Sequence, residues 1–328
     1  MKYISNKIIT LAFALLFLVL QGCDLEEVNI NEPDRRQVLA TPSEVIALFE
    51  STNSIFFSRL ISSRNVYYDH LADQSNSCSL SVPWPLNREP REQLSNDIGG
   101  TFERLFTRDW DESYRAITTA NDILAVLDGD TWEDESEDAK NKLRAGVLTL
   151  KGIAMGYIGV IYRQGVIIED SSVIIEDMVG STPEDVINTA IEYLEEAKAI
   201  YAANSNLKWD YISDFNLSST EITQIINTYA AKFLIGKART HQEFQALDFN
   251  LIESYLDNAI EETFTGAGSS ELYNGHQFYG SRLRRGSFSY SLDQKIPWLL
   301  SGKTAPTKKG MDDEPAITSI DKRAELYF

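Results

Sequence analysis

The sequence predicts an all-α fold, and three observations support that prediction. Several long stretches carry apolar residues three and four positions apart, which is the spacing of one buried helix face. Several of these stretches begin with Ser or Thr and have an acidic residue three positions later, which is typical of a helix N-terminus. No long segment alternates apolar and polar residues as a half-exposed strand does. We therefore expect about six long helices, interrupted by two irregular stretches.

The N-terminus has the pattern of a bacterial lipoprotein signal peptide. Lys2 and Lys7 come before an apolar run that covers residues 8–20. The motif Leu-Gln-Gly-Cys follows this run and ends at Cys23. A membrane-spanning helix needs roughly 20 apolar residues, so this run is too short to remain as a span and has the length of a signal-peptide core. We expect removal of residues 1–22 and lipidation of Cys23, which would anchor the mature chain in a membrane.

The mature chain is expected to form one helical domain on a tether. Residues 23–40 are polar and resemble a tether that lifts the domain off the membrane. Residues 41–265 should hold the helical hairpins, with a long loop inserted at 63–100. Residues 266–328 should be an irregular, aromatic-rich segment of the same domain. With Cys23 lipidated, Cys78 has no partner for a disulfide, so packing alone must hold the fold.

The helices follow one another with short turns. They are expected at about residues 41–60, 102–127, 139–162, 182–201, 218–238 and 249–260. The third contains Gly146, Gly152, Gly156 and Gly159. Each glycine inside a helix costs up to about 1 kcal/mol, so this composition indicates that neighbouring helices pack very close to it. Paired helices of this length resemble tetratricopeptide-type hairpins in their period.

The two irregular stretches supply the candidate ligand-binding residues. Trp84 lies between two prolines in the 63–100 insertion, which keeps it off a helix. An aromatic ring can offer its face to a sugar, and nearby amide and guanidinium groups can bind hydroxyls. By contrast, Trp110 and Tyr114 lie on an apolar helix stripe, so we expect them in the core. The candidates chosen on this composition are Trp84, Asn87, Arg88, Tyr273, Asn274, Tyr279 and Arg282.

Charge and motifs exclude several classes of protein. The net charge of −19 argues against nucleic acid as a partner and against attraction to anionic lipid headgroups. The sequence contains no motif of a serine hydrolase, zinc protease or phosphate-binding loop, so we expect no catalytic residues and no cofactor. His70, His241 and His276 are too far apart in sequence for a compact metal motif. The acidic segment 128–138 fails the EF-hand pattern because Glu133 stands where glycine is needed, so we expect a solvated loop and no metal.

The second predicted helix carries W-x3-Y-x2-I-x2-A-N at residues 110–121, and this stretch resembles the SusD/RagB family of outer-membrane nutrient-binding lipoproteins. Other elements occur in the same order, including the small-residue helix ending in Tyr-Arg-Gln-Gly at 162–165, the Thr-Pro-Glu-Asp start at 182–185 and a D-x-R…F stretch at 321–328.

The resemblance implies an outer-membrane protein that faces the cell exterior and acts with a TonB-dependent transporter of the SusC type. It also implies capture of an oligosaccharide, or in some members a peptide, without covalent chemistry. In the family the D-x-R stretch is internal, so we expect that the C-terminal part is missing here and that residues after about 266 pack poorly.

Two alternatives from other classes stay open. A lipid-anchored helical glycoside hydrolase is one, because some pair among the 49 acidic residues could lie at the separation that glycosidases use. A helical protein-interaction scaffold is the other. Two acids converging in one cleft would favour the hydrolase, and a concave face without exposed aromatic residues would favour the scaffold.

Overall fold

The computed structural model describes most of the helical region and a small part of the two irregular stretches. The described residues are 38–59, 75–77, 98–100, 103–127, 129–170, 179–212, 215–261 and 290–292. Cys23, Cys78 and all seven candidate ligand-binding residues lie outside this part of the chain, as does the predicted signal peptide.

The described residues are mainly helical, and all six predicted long helices are present. The α-helices are α1 (Pro42–Arg59), α2 (Glu103–Leu127), α3 (Glu137–Ile161), α4 (Pro183–Ala203), α5 (Ser219–Gly236), α6 (His241–Gln245) and α7 (Phe249–Leu256). The short α6 is an addition to the prediction. A 3-10 turn, Asp130–Trp132, follows α2.

Four short strands form two antiparallel pairs within the described residues. They are β1 (Ser75–Ser77), β2 (Lys208–Trp209), β3 (Leu217–Ser218) and β4 (Tyr290–Leu292). Strand β2 pairs with β3 just before α5, whereas β1 pairs with β4. The β1–β4 pair therefore joins the 63–100 insertion to the C-terminal segment, which are far apart in sequence.

Local capping chemistry sets where the helices begin. Ser218 and Glu221 form a complete capping box at α5, with Ser218 N donating to Glu221 Oε2 at 2.8 Å and Glu221 N donating to Ser218 Oγ at 3.3 Å. Thr182 caps α4 in the predicted position. Helix α3 begins two residues earlier than predicted, because Ser136 Oγ accepts from Ala139 N at 3.2 Å.

Helix α3 is the centre of the core, since α1, α2, α4 and α5 all contact it. Among the described helices it alone is long and apolar enough to cross a membrane, and 78% of its most apolar window is buried inside the protein. A Cβ added at Gly152 would lie 2.7 Å from Leu194 Cγ of α4, and one added at Gly156 would overlap the Phe233 ring of α5. The prediction of close helix packing at these glycines is confirmed.

Candidate ligand-binding site

One cavity is lined by residues that come shortly before each irregular stretch in the sequence. Phe57, near the end of α1, precedes the 63–100 insertion, and Ile260, just after α7, precedes the C-terminal segment. Both side chains line one cavity of about 230 Å³ between α1, α3, α5 and the β2–β3 hairpin. The helical body therefore brings Phe57 and Ile260 to the same cavity.

The register of β1 and β4 adds a second link between the stretches. Ser77 pairs with Tyr290 and Ser75 pairs with Leu292 in an antiparallel ladder. In such a ladder, the chain that follows Ser77 and the chain that precedes Tyr290 leave at the same end. Three of the predicted binding residues follow Ser77, and the other four precede Tyr290. Their mutual contacts lie outside the described residues.

The 230 Å³ cavity is mainly apolar. Aromatic rings surround Trp209 edge-on, with ring centroids 6.4 Å away for Phe57 and 6.3 Å away for Phe215. Its lining residues are Asn53, Phe57, Thr149, Leu150, Ile153, Trp209, Ile212, Phe215, Leu217, Ile222, Ile225, Tyr229 and Ile260. This is a half-open, mainly apolar groove.

Two buried polar atoms belong to residues of this lining. Asn53 is 1% exposed and Trp209 is 5% exposed. Asn53 Nδ2 donates to Phe49 O at 2.9 Å, but within the part that the structure describes neither Asn53 Oδ1 nor Trp209 Nε1 has a hydrogen-bond partner. Buried polar atoms are nearly always hydrogen-bonded, so each such atom calls for an explanation.

A second, polar cavity of about 430 Å³ lies where α2 leads into α3. It is lined by Leu127, Gly129, Asp130, Glu133, Glu137, Lys140, Asn141 and Arg144. The acidic side chains here are exposed, and Glu137 pairs with Lys140 at 3.3 Å. Across the described ranges, no group of three or more His, Cys, Asp or Glu residues is close enough to hold a metal ion.

The motif that carries the family resemblance has a structural role. Trp110 and Tyr114 pack against the core, with ring centroids 4.6 Å apart. The Tyr114 hydroxyl donates to Val166 O at 3.0 Å and accepts from Val166 N at 2.6 Å. Asn121 Nδ2 donates to Ile168 O at 3.1 Å. The expectation that Trp110 and Tyr114 are core residues agrees with the structure, and the motif holds the segment after α3 against α2.

Lys151 is a functional candidate that the sequence reasoning did not single out. It is 1% exposed, its Nζ donates to Glu169 O at 2.6 Å, and Nζ lies 3.9 Å from the centroid of the Tyr193 ring. Burial lowers the pKa of Lys151 to about 8, and the nearby carboxylates, Glu196 first, oppose that change. One signal was available, because Lys151 is the lone charged residue between Arg144 and Arg163.

Comparisons with known proteins support the fold. No protein-family model and no curated protein matches the chain significantly. Among solved structures, a SusD/RagB family protein from Bacteroides thetaiotaomicron matches with a TM-score of 0.51 and 13% identity, over 79% of this chain and 52% of its own. A SusD-like carbohydrate-binding protein from Bacteroides vulgatus matches with a TM-score of 0.52 and 14% identity, over 80% of this chain and 59% of its own.

The chain thus spans between half and three fifths of the length of these two proteins. Identity this low bears on the fold, and the agreement covers about four fifths of the present chain. The prediction of an all-α, SusD-like fold is confirmed, and the protein has the fold of the SusD/RagB proteins.

Proposed function

We propose that the protein is a cell-surface nutrient-binding lipoprotein that captures a glycan or a peptide without turnover. In this proposal Cys23 carries the lipid anchor in the outer membrane, and a TonB-dependent SusC-type transporter takes up the captured ligand. The SusD-like fold supports the assignment, and the carbohydrate-binding neighbour favours a glycan over a peptide.

One observation carries the proposal, namely that the described residues of the two aromatic-rich stretches, Ser75–Ser77 and Tyr290–Leu292, pair in one antiparallel ladder. The chain that follows Ser77 and the chain that precedes Tyr290 leave this ladder at the same end. Trp84 comes seven positions after Ser77, and an extended chain spans at most about 3.6 Å per residue. Residues from both stretches can therefore contribute to one ligand-binding surface, as sugar recognition by stacking rings and polar side chains requires.

The polar cavity after α2 bears on the hydrolase alternative. Asp130, Glu133 and Glu137 line it, so acids do converge in one place. A glycosidase needs one carboxyl held protonated, which apolar burial or a neighbouring like charge achieves. Here the acids are exposed, and Lys140 and Arg144 share the cavity with them. The cavity therefore lacks the apolar surroundings in which a glycosidase holds its general acid, and it gives the hydrolase alternative no support.

The function is tested by incubating the purified protein with a glycan and peptide array and analysing the products. We expect binding of one ligand class with the ligand recovered intact. Hydrolysis of a bound oligosaccharide would support the glycosidase alternative, and an absence of binding across the array would support the scaffold.

Site variants connect that binding to the candidate residues. Trp84→Ala and Tyr279→Ala should each weaken binding by roughly 1–3 kcal/mol, because a ring that stacks on a ligand supplies much of the affinity. Phe244→Ala is the matched control, since Phe244 is an exposed aromatic residue on α6, at 45% exposure. Unchanged affinity for both Trp84 and Tyr279 variants would remove these residues from the site.

The anchor is tested separately by labelling with a radioactive fatty acid in a bacterial host. The wild-type chain should take up the label and fractionate with the membrane, and Cys23→Ala should do neither. Labelled, membrane-bound Cys23→Ala would show that the anchor lies elsewhere. Co-purification of a large outer-membrane transporter with the wild-type protein, after mild solubilisation, tests the proposed partner.

A further inference from the structure

We infer that the exposed apolar stripe of α7 is a docking surface for a basic stretch of the same chain, formed by Leu283, Arg284 and Arg285. The stripe lies on the helical body, shortly before the C-terminal segment begins. This docking is independent of the ligand and the transporter proposed above, because it joins two parts of one chain.

Helix α7 carries apolar residues outside the face that it buries. Ile252 and Tyr255 are buried, whereas Phe249 is 43% exposed and Leu256 is 48% exposed. Phe249 and Leu256 are seven positions apart, which is about two helical turns, so they lie along one stripe of the helix. Ile260, in the turn after the helix, adds a further apolar side chain at 36% exposure. Contiguous exposed apolar surface marks an interaction site.

Acidic side chains border this stripe. Glu253 and Asp257 are exposed, and Glu253 neighbours Phe249 because helix positions four apart lie side by side. Residues 240–262 contain no Lys or Arg and six acidic residues, namely Glu243, Asp248, Glu253, Asp257, Glu261 and Glu262. A segment that covers the stripe should therefore combine an apolar side chain with positive charge.

The C-terminal segment contains a stretch with this combination. Residues 272–292 include no acidic residue, and they carry three arginines, Arg282, Arg284 and Arg285. Leu283 stands among these arginines, so one short stretch supplies both the apolar side chain and the charge. About 20 residues separate Glu261 from Leu283, and an extended chain covers up to about 3.6 Å per residue, so the stretch can return to α7.

Charge disfavours a second copy of the chain as the occupant. In a symmetric dimer the same patch meets itself, so the acidic side chains beside α7 would face their own copies and repel one another. A segment of the same chain is instead held near the stripe at a high effective concentration by its linker. Docking would give residues 283–285 a fixed place, in contrast to the poor packing that the sequence predicts after about residue 266.

Disulfide trapping in the full chain tests the docking. Leu256→Cys and Leu283→Cys are introduced together, with Cys23 and Cys78 replaced by Ser, and the chain is oxidised mildly. We expect an intramolecular link, which non-reducing electrophoresis shows as a monomer and proteolysis shows as one joined pair of peptides.

The control for the trapping pairs Ile235→Cys with Leu283→Cys, because Ile235 is also an exposed aliphatic residue, at 40%, but lies on α5. This pair should stay reduced. A link between two chains would assign the stripe to a second copy and overturn the inference. Absence of a link, or an equal link in the control pair, would also overturn it.

A charge swap separates specific docking from non-specific collapse, and it needs no new cysteine. Hydrogen exchange of the α7 amides is measured by mass spectrometry. Arg284→Glu with Arg285→Glu should speed this exchange by about 2- to 5-fold for each ion pair lost, the usual range for exposed pairs. Adding Glu253→Lys and Asp257→Lys should restore the slower exchange, because the two sets of charges are then reversed together.

Lys308→Glu with Lys309→Glu is the matched control for the charge reversal, since these residues are also basic neighbours in the C-terminal segment. Exchange in α7 should be the same as in the wild type. If reversal at Arg284 and Arg285 has no effect, or if the swapped protein does not recover the protection, the stretch does not dock on α7 and the inference fails.

Discussion

Lys151 combines complete burial with a positive charge, and that combination makes stability depend on pH. Its pKa is lowered to about 8 from an ordinary value of 10.5. Between these values the unfolded chain binds a proton that the folded chain has released, so the contribution of this group to stability rises with pH.

Tyr193 acts in the opposite direction at higher pH. Burial first, and Glu169 next, raise its pKa to about 12, so the folded chain keeps a proton above pH 10 that the unfolded chain loses.

The substitution Lys151→Met isolates the contribution of the lysine. Methionine keeps an unbranched stem but does not titrate. We predict that the free energy of unfolding of the wild type, relative to Lys151→Met, increases between pH 8 and pH 10. Urea unfolding at half-unit pH steps measures this difference.

Leu150→Met is the control, because Leu150 is also buried in α3 and the change involves no titratable group. The difference between wild type and Leu150→Met should not vary with pH. A pH-independent difference between wild type and Lys151→Met would contradict the prediction.

Sequence reasoning reaches some of these residue-level features. A lone lysine in an apolar helix stretch is visible in the sequence, but the carbonyl of Glu169 that it binds is not. The roles of Tyr114 and Asn121 were also hidden, because their backbone partners belong to a segment without periodic pattern. The spacing of apolar residues in the sequence predicts which of them are buried. The backbone carbonyls that Lys151, Tyr114 and Asn121 bind are set by tertiary packing, which the spacing does not show.

At the scale of elements, the glycines of α3 allow its neighbours to approach. We predict that Gly156→Ala destabilises the protein by about 1–3 kcal/mol, the usual cost of overpacking a core. Alanine favours the helix by up to about 1 kcal/mol, but the new Cβ would overlap the Phe233 ring. Thermal and urea unfolding measure the change.

Gly180→Ala serves as the control for that substitution. The nearest atom to a Cβ there is Gln164 Oε1 at 3.5 Å, an ordinary contact, so its stability should be close to wild type. If Gly156→Ala matched the wild type in stability, Phe233 would have to move at little cost, and the close approach would not explain the glycine.

The elements themselves were predictable where their signals are local. Capping residues and apolar spacing lie within one helix, so the six long helices could be placed from sequence. Helix α6 and the two-residue strands β2 and β3 could not, because elements this short have no period to detect. Thr240 does cap α6, by accepting from Glu243 N at 3.2 Å, but a cap without a following apolar stripe is a weak signal.

For the whole molecule, the β1–β4 ladder is the observation on which the ligand-binding proposal depends. We predict that Asn76→Cys and Ser291→Cys, introduced together in a background with Cys23 and Cys78 replaced by Ser, form a disulfide under mild oxidation. These two residues are direct partners in the register, and opposite positions in antiparallel strands come close enough for a disulfide. Non-reducing electrophoresis after proteolysis measures the link.

The control for the ladder pairs Asn76→Cys with Ser218→Cys, which lies in the other sheet. That pair should stay reduced under the same conditions. If both pairs cross-link equally, the chain samples many arrangements and the register is not specific. If neither does, the two irregular stretches do not share a sheet, and the convergence argument for the binding surface loses its support.

The candidate site was less predictable than the fold because it depends on pairing across most of the chain. Ser-Asn-Ser and Tyr-Ser-Leu show no pattern that would reveal one as the partner of the other. The family resemblance came from the order of several loose helical elements, and the fold comparison agrees with it. The seven candidate residues rest on composition alone and stay a prediction.

The ladder also has a consequence for how the chain folds. Helices α2, α3 and α4 contact their neighbours in sequence, and local contacts of this kind form quickly. The β1–β4 pair instead joins segments that are far apart in sequence. Closing so long a loop costs entropy before any contact in the ladder can compensate for it. We therefore expect the helical body to assemble first and the ladder to close as a separate, slower phase. Ligand-binding competence would then be gained late in refolding, after the helical signal is complete.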